Sequence, residues 1–404
     1  MFYTPNLRHL AALIEIDALG SINKAAEAVY LSQSALTQGL SNMEAELGTA
    51  LFDRSSTGMY ATVTGRKLIQ RSKRALQYFH NFEKSLKAYS RASGFRANWQ
   101  IHLNASNAQL RAVIAIVEHK NISFAANSLG LAQPTVQRSA RDLEKNLGQS
   151  LFVRSATGVE PTPLARSLAR FASLGLSEIQ AGIDAVNEIQ GRMTGKLSIG
   201  ALPLARTALV PASVNELIKR FPELQLSIID GPYDELIHAL LHSRIDIILG
   251  ALREPSPLKE IRQQPLFEDE LSVLVRADHP MLEHKTLQLA DLAELDWIAP
   301  RVGTPSRHRF QNIFKHKNLP EPEHIIECSS TVATRGLLLN TDRVALLSRR
   351  QLLPEIEAGL LATLPVLLPE SRRPIGLTLR KDWQATQAQQ CYIDILKKIT
   401  ADYQ

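Results

Sequence analysis

The sequence predicts a multidomain protein in which one small helical module is used twice and is followed by a two-lobed α/β half. Three observations carry this. A block near the start recurs about 100 residues later, short apolar strands alternate with helices from residue 195 onward, and the excess positive charge sits only in the repeated part. The chain has 404 residues, too many for one ordinary domain, and at 45% hydrophobic residues it is too apolar for disorder.

The repeat comes first because it decides the architecture. Ile22, Ala25 and Ala26 return as Ile122, Ala125 and Ala126, and Leu31 and Gln33 return as Leu131 and Gln133. Glu44, Leu47, Gly48, Leu51, Phe52, Arg54, Ser55, Thr57 and Gly58 each recur 100 positions on, and about a third of the aligned positions are identical. Upstream, Leu7-Arg8 pairs with Leu110-Arg111 at an offset of 103, so the second copy is three residues shorter in the loop holding Gly20.

Each copy reads as three helices and a hairpin. Leu7, Leu10, Leu13 and Ile14 share one helical face, and Gly20-Ser21 ends that helix. A second helix turns Ala25, Ala26 and Val29 inward, small residues that permit close crossing. Ser32 is placed to cap a third helix that Gly48 stops. Leu51-Phe52 then leads to a turn at Thr57-Gly58 between two short strands. Helix, helix, turn, helix, wing is the pattern of a winged helix-turn-helix, whose third helix offers its N-terminal side chains to base edges in the major groove. In copy one the candidates are Ser32, Gln33, Ser34, Thr37 and Gln38, and in copy two Gln133, Thr135, Gln137 and Arg138, beside Pro134. Arg54 and Arg154 on the hairpins suit phosphates, which fix orientation while base contacts fix sequence.

The charge distribution agrees. Residues 1–100 hold 12 basic against 7 acidic side chains, residues 101–194 hold 9 against 7, and the remainder holds 25 against 26. A basic part joined to a near-neutral part points to a polyanion at one end.

On Ala25-Ala26, Ser32-Gln33, Leu47-Gly48, Leu51-Phe52-Asp53-Arg54 and Thr62-Val63-Thr64-Gly65, both copies resemble the N-terminal domain of LysR-type transcriptional regulators. Most members have one such domain, so the doubling is a departure. Copy two departs further, with Ala132 for the capping Ser32, Gln137 where Ser or Thr is usual, and Ala165 for Gly65. In copy one, Met43 stands in a slot usually held by Leu, and Gly39 lies inside the recognition helix. The reading favours copy one as base reader; copy two either binds DNA or buttresses the first.

A long helix follows each copy. Ala75, Phe79, Phe82, Leu86 and Tyr89 recur at steps of four and three, and Leu168, Phe171, Ile179, Ile183 and Val186 do nearly the same. Such steps make a coiled-coil seam. The resemblance implies that these helices pair two subunits; the alternative is that either stripe packs inside its own chain.

Beyond Gly195 the expected strands are 196–200, 226–229, 245–250, 271–275, 297–299, 325–327, 344–347 and 374–379, with helices near 211–221, 235–241 and 385–399. Alternation of this kind predicts a parallel sheet. Gly200-Ala201-Leu202-Pro203, Asp230-Gly231-Pro232-Tyr233, His279-Pro280, Ala290-Asp291-Leu292 and Gly376-Leu377-Thr378 resemble the effector domain of the same regulators, in the branch named for a galactose-binding-protein regulator. That resemblance implies a periplasmic-binding-protein-like domain with a ligand between its lobes. The expected boundaries are 1–66 and 101–166 for the helix-turn-helix copies, 67–100 and 167–194 for the linker helices, 195–268 with 366–404 for lobe one, and 269–365 for lobe two.

Ligands in α/β sheets sit beyond the strand carboxyl ends. The candidates there are Leu202, Pro203, Thr207, Asp230, Pro232, Gly250, Ala251, Thr304, Pro305, Arg307, Ser329, Ser330 and Thr331. Hydroxyls at helix N-termini favour an anion, and Arg307 could grip a carboxylate. A hydroxylated or aromatic acid is the first expectation and a sugar the second, with Asp230 accepting its hydroxyls.

Other functions lack residues. Cys328 and Cys391 are the only cysteines, which excludes a disulfide framework, and the 11 histidines show no metal-ligand spacing. No nucleophile–base pair or phosphate loop is present, so neither an enzyme nor a cofactor is expected. No apolar run spans a membrane and no secretory signal is visible, which leads to a cytoplasmic expectation. The expected partners are double-stranded DNA, a small-molecule effector, a second copy of the chain (as homodimer or homotetramer through the linker helices) and RNA polymerase. The rival reading is a small-molecule sensor or carrier whose helical half mediates protein assembly without DNA.

Overall fold

The computed structural model describes residues 4–92, 99–155, 158–253, 255–256, 258–369 and 371–403. Thr157 and the side chain of Tyr89, both part of the expected pattern, lie outside the described residues. The chain forms two compact units, one built from residues 1–196 with 223–225 and 241–244, the other from the rest.

In the first unit the module appears twice. Copy one comprises α1 (Leu7–Leu19), α2 (Ile22–Ala28), α3 (Gln33–Leu47), the hairpin β1 (Phe52–Ser55) and β2 (Gly58–Ala61), and the long α4 (Val63–Ala92). After the short α5 (Ile101–Asn104), copy two comprises α6 (Asn107–His119), α7 (Ile122–Leu129), α8 (Gln133–Leu147), β3 (Phe152–Ser155), β4 (Gly158–Pro161) and α9 (Pro163–Ile189). Local chemistry sets the boundaries. Ser32 Oγ accepts the Ala35 amide and caps α3, and Gly48 at φ 66° ends it. Ala132 offers α8 no side-chain cap; Pro134 in the first turn compensates in part by fixing φ. Both hairpins hang on the turn after the first helix in the same way. The Met59 amide bonds the Gly20 carbonyl at 3.0 Å, and the Val159 amide bonds the Lys120 carbonyl at 3.1 Å.

Gly39 has a long-range reason. A Cβ there would lie 2.4 Å from the His9 ring, so the recognition helix gives up a side chain to admit the imidazole. At the matching positions copy two has Ala112 and Ser139, the same exchange of bulk made the other way round.

The two linker stripes bury against each other. Phe79 seats where a Cβ on Gly175 would lie 2.2 Å from its ring, and Gly182 packs on Leu68 and Arg71. Glu178, nearly buried, takes Arg71 and Arg74, each at 2.9 Å. Residue numbers rise on α4 as they fall on α9, so the helices are antiparallel. Of the two readings left open for these stripes, the structure shows packing within one chain: each buries its apolar face against the other.

In the second unit the sheet is β5 (Lys196–Ala201), β6 (Gln225–Asp230), β7 (Ile247–Ala251), β8 (Ile261–Arg276), β9 (Trp297–Ala299), β10 (Ile325–Glu327), β11 (Val344–Ser348), β12 (Leu361–Thr363) and β13 (Arg372–Arg380). The helices are α10 (Val210–Arg220), α11 (Tyr233–Leu241), α12 (Leu289–Ala293), α13 (Pro305–Lys315), α14 (Thr331–Asn340), α15 (Leu353–Glu357) and α16 (Gln387–Thr400). The strand order is β10-β9-β11-β8-β13-β7-β5-β6, with β12 beside β8. The sheet is mixed rather than parallel. β5 with β7 and β9 with β10 and β11 are parallel, whereas β8 and β13 run antiparallel to their neighbours. β8 joins the lobes: it pairs with β13 along its first part and with β11 and β12 along its last. Trp297 anchors one lobe, edge-on to Phe310 and Phe314 with ring centroids 5.1 and 5.7 Å away. No described helix is long and apolar enough to cross a membrane.

Substituting Gly39→Ser should destabilise the first unit by about 1–3 kcal/mol through overpacking, and adding His9→Ala should restore most of it, both read by thermal unfolding. The pair should also show a pH signature. Burial, then the Arg8 charge, holds the His9 imidazole below its usual pKa, and His102 is lowered by the same two causes. The unfolded chain therefore binds more protons, so this contribution is full above about pH 6.5 and is lost as the pH falls below it. His9→Ala should flatten that loss.

Candidate DNA-reading faces and effector cleft

Both third helices present their first turns to solvent. In α3, Ser32, Gln33, Ser34 and Gln38 are exposed and Thr37 is half-buried, while Leu36, Leu40 and Met43 fill the core behind them. Ser32 serves as cap, Thr37 Oγ1 donates to the Gln33 carbonyl at 2.8 Å, and Gln38 Nε2 donates to Asn42 at 2.7 Å. In α8, Gln133, Thr135 and Arg138 are exposed, Gln137 is half-buried, and Val136, Ala140 and Leu143 face inward. Gln133 accepts from Ser123 Oγ at 3.0 Å, and Arg138 lies 3.8 Å from Asp142 on an open surface. Arg54 and Arg154 are exposed on their hairpins. Each copy thus gathers short polar side chains at a helix N-terminus with an arginine on the adjoining hairpin. An exposed ion pair such as Arg138–Asp142 holds its partner by only about 0–1 kcal/mol, so a base or phosphate can displace it.

In the second unit, the candidate residues after β9 and β10 come together. These strands are parallel neighbours, so α13 and α14 start side by side at the same edge. Thr304 caps α13, accepting from the Arg307 amide at 3.2 Å, and Ser330 caps α14, accepting from the Ala333 amide at 3.3 Å. Pro305, Ser329 and Thr331 flank these caps. From the other lobe, Leu202 and Gly250 touch: Gly250 has φ 149°, and a Cβ there would lie 2.4 Å from that of Leu202. Ala251 and Leu252 end β7, where the Leu252 amide bonds the Pro374 carbonyl at 2.9 Å.

The residue at the meeting point is Arg373, which the sequence reading missed. It is 6% exposed; its Nε and Nη2 each lie 3.1 Å from Asp269, and its Nη1 reaches Ser306 Oγ at 3.3 Å. Burial lowers its pKa, and Asp269 opposes that. Ser348, fully buried, donates to the second Asp269 oxygen at 2.6 Å. The one clue in the sequence was an arginine beside Pro374 at the start of an apolar strand.

Four candidates fall elsewhere. Arg307 turns to Glu321 and lies over the Phe310 ring, so the expected carboxylate grip is spent within α13 and its following loop. Asp230, expected to take sugar hydroxyls, pairs with Arg206 at 2.5 Å; with Pro232 it ends β6, the outermost strand, away from Arg373. Thr207 lies in a π-helical turn, Ala205–Leu209, and donates to the Leu204 carbonyl at 3.2 Å. A hollow of 730 Å³ borders Asp269 too, lined by Glu268, Glu270, Arg349, Arg350 and Arg372, but holds none of the expected ligand residues.

Comparison with known proteins fits this geometry. The model of the bacterial regulatory helix-turn-helix protein, lysR family, matches residues 7–66 and again 108–166, and that of the LysR substrate binding domain matches residues 190–401. The transcriptional regulator GalR of Pseudomonas putida is 31% identical over 93% of this chain and 92% of its own length, an alignment that necessarily enters both copies. The regulator GbpR of Azospirillum brasilense is 28% identical over 71% of this chain and 84% of its own. A full-length OxyR variant from Pseudomonas aeruginosa superposes with a TM-score of 0.55 at 20% identity, covering 97% of that chain but 72% of this one. The uncovered part is about the size of one module with its long helix.

Replacing Asp269 with Ala would leave Arg373 charged and buried without its partner, which should cost about 3–5 kcal/mol. Asp230→Asn, at an exposed pair, should cost less than about 1 kcal/mol. Urea unfolding of the full chain measures both.

Proposed function

This chain is a member of the LysR family of bacterial DNA-binding transcriptional regulators, and from that premise we propose that both helical copies are winged helix-turn-helix heads and that the effector is a small acid. The family establishes a regulator with an effector-binding domain and no enzymatic role. Which residues read DNA and which hold the effector is our reading.

On the DNA side, Gln33, Ser34, Thr37 and Gln38 of α3 meet base edges, as do Gln133, Thr135, Gln137 and Arg138 of α8. Ser32 orders the first turn, and Arg54 and Arg154 hold phosphates. The observation that supports this is the paired exposure of both third helices over fully apolar undersides.

On the effector side, the start of α13 meets the buried Arg373 through Ser306, with the start of α14 alongside. Free amides at two helix N-termini and a guanidinium suit a carboxylate, and the hydroxyls of Thr304, Ser329, Ser330 and Thr331 suit a hydroxylated or aromatic acid. Pro305, Leu202, Pro203, Gly250 and Ala251 supply its apolar walls. A neutral sugar is the weaker fit because Asp230 is already paired. The effector acts by binding one state of the two lobes more tightly than the other, and it shifts regulation by no more than that difference. Action is in the cytoplasm, where the operator lies.

Two measurements test these readings. In a duplex-binding titration the affinity should fall steeply with salt, Arg54→Ala should weaken all duplexes alike, and Gln33→Ala should relax sequence choice by about 1–3 kcal/mol at one base pair. Salt-independent binding would refute the DNA assignment. Titrating small hydroxylated carboxylates and neutral sugars against the full chain should give carboxylate stabilisation that Ser306→Ala weakens, with ligand-free DNA binding intact. A response to sugars alone would refute the acid.

A further inference from the structure

We propose that one chain carries a complete, built-in pair of DNA-reading heads, related by a pseudo-twofold axis and chemically unlike, so that a single polypeptide recognises two different half-sites. The proposal rests on the reading of both copies as DNA-reading heads and goes beyond it in saying how they are used together.

The axis is visible at two places. Along the seam, Phe79 meets Gly175, Arg71 and Arg74 meet Glu178, and Leu68 meets Gly182. With copy two offset by 100, these contacts centre near Leu76 and its counterpart Leu176. At the N-termini, where the offset is 103, Arg8 and Arg111 are counterparts, and each crosses to the other copy. Arg8 Nη2 donates to the Leu103 carbonyl at 2.6 Å, and Arg111 Nη2 donates to Thr4 Oγ1 at 2.6 Å. The seam contacts run antiparallel about one centre, and the two arginines each reach across between the copies, which is the arrangement a twofold relation of α3 to α8 requires.

The seam is also built for unlike partners. If α4 met a second α4 in this register, Phe79 would strike Ala75 where it now enters the Gly175 notch, Leu68 would strike Phe82 where it now rests on Gly182, and Arg71 would face Tyr78. If α9 met α9, the buried Glu178 would face Phe171 and Leu174 with no cation. A buried charge without its partner is costly: α9 with α9 would leave Glu178 without Arg71 and Arg74, and α4 with α4 would leave those arginines without Glu178, so the ion pair disfavours both like-with-like pairings. The chain between α4 and α5 is short, and the Ile101 amide, just beyond it, bonds Glu83 Oε1 on α4 at 2.9 Å, which holds copy two against the end of the helix that leads to it. The pairing is local to one chain.

The reading faces differ where a base would be read. Both copies keep a glutamine at the first position, Gln33 and Gln133, but beyond it Ser34, Thr37 and Gln38 of copy one stand against Pro134, Gln137 and Arg138 of copy two; an amide at Gln38 suits adenine, and Arg138 suits guanine O6 and N7. A symmetric site would waste one of them.

The test selects binding sites from random duplexes with the full-length protein. Two unlike elements are expected, their centres about one helical turn or a multiple apart. Arg138→Ala should relax a guanine in one element only and Gln33→Ala a base in the other only, each weakening binding roughly 5- to 150-fold. Both side chains are exposed, and circular dichroism checks that the variants fold. Two identical elements, both altered by Gln33→Ala and neither by Arg138→Ala, would overturn this inference and leave the regulator assignment standing. Failure to enrich any sequence, with no salt-dependent duplex binding, would overturn both.

Discussion

The constraint on which the first unit depends is the seam between α4 and α9. Two copies of one module cannot share a core unless their long helices fit each other, and the fit is made by a few unequal positions. Phe79 needs the missing side chain of Gly175, and Glu178 needs Arg71 and Arg74. Removing these charges from water is expensive, and an apolar pair of the same volume could be as stable. What the ion pair adds is choice of partner. The apolar steps of four and three would allow α4 to pair with itself; the carboxylate and the two glycines do not.

The second unit depends on a comparable constraint at another scale. Its lobes share one continuous strand, β8, and the chain returns from the second lobe into β13 beside it. Where β8 crosses from lobe to lobe, Asp269 on β8 and Arg373 on β13 are tied together and to Ser348 and Ser306. Ser306 lies in the first turn of α13, where the effector is proposed to bind. A ligand oxygen competing for Arg373 Nη1 would therefore act, through Arg373 and Asp269, on the strand that both lobes share. That gives the proposed effector a physical handle: a change at one helix end alters a hydrogen bond to Arg373, which is tied through Asp269 to the strand belonging to both lobes.

Much of this was legible in the sequence. The repeat, the caps at Ser32 and Gly48 and the apolar strands are local or periodic signals, and the structure keeps them. What was not legible depends on contacts far apart along the chain. Gly39 reads as a flaw in a helix until His9, thirty residues earlier, is seen to fill its place. The stripes on α4 and α9 announced a seam but could not name the partner, because periodicity records that a face is buried and not against what. The first part of β8 carries Gln263, Gln264 and Pro265 and shows no apolar run, so its pairing with β13 was invisible, and with it the mixed sheet. Arg307 reads as a carboxylate grip because it follows a helix start, but Glu321 holds its charge, and Arg373, on a strand, carries no such local signal.

Two DNA-reading heads in one chain, as proposed, would also change what sequence drift can do. In a dimer of identical chains, any change in a recognition helix appears in both heads, and a substitution that suits one half-site must suit the other. Here the copies vary independently. His9 fills the place left by Gly39 in copy one, where copy two has Ala112 and Ser139, and Gln38 against Arg138 would change the proposed reading face at an exposed position. Heads held by an unequal seam are free to become unequal readers, because the contacts that orient them lie on α4 and α9, away from the residues that would meet bases.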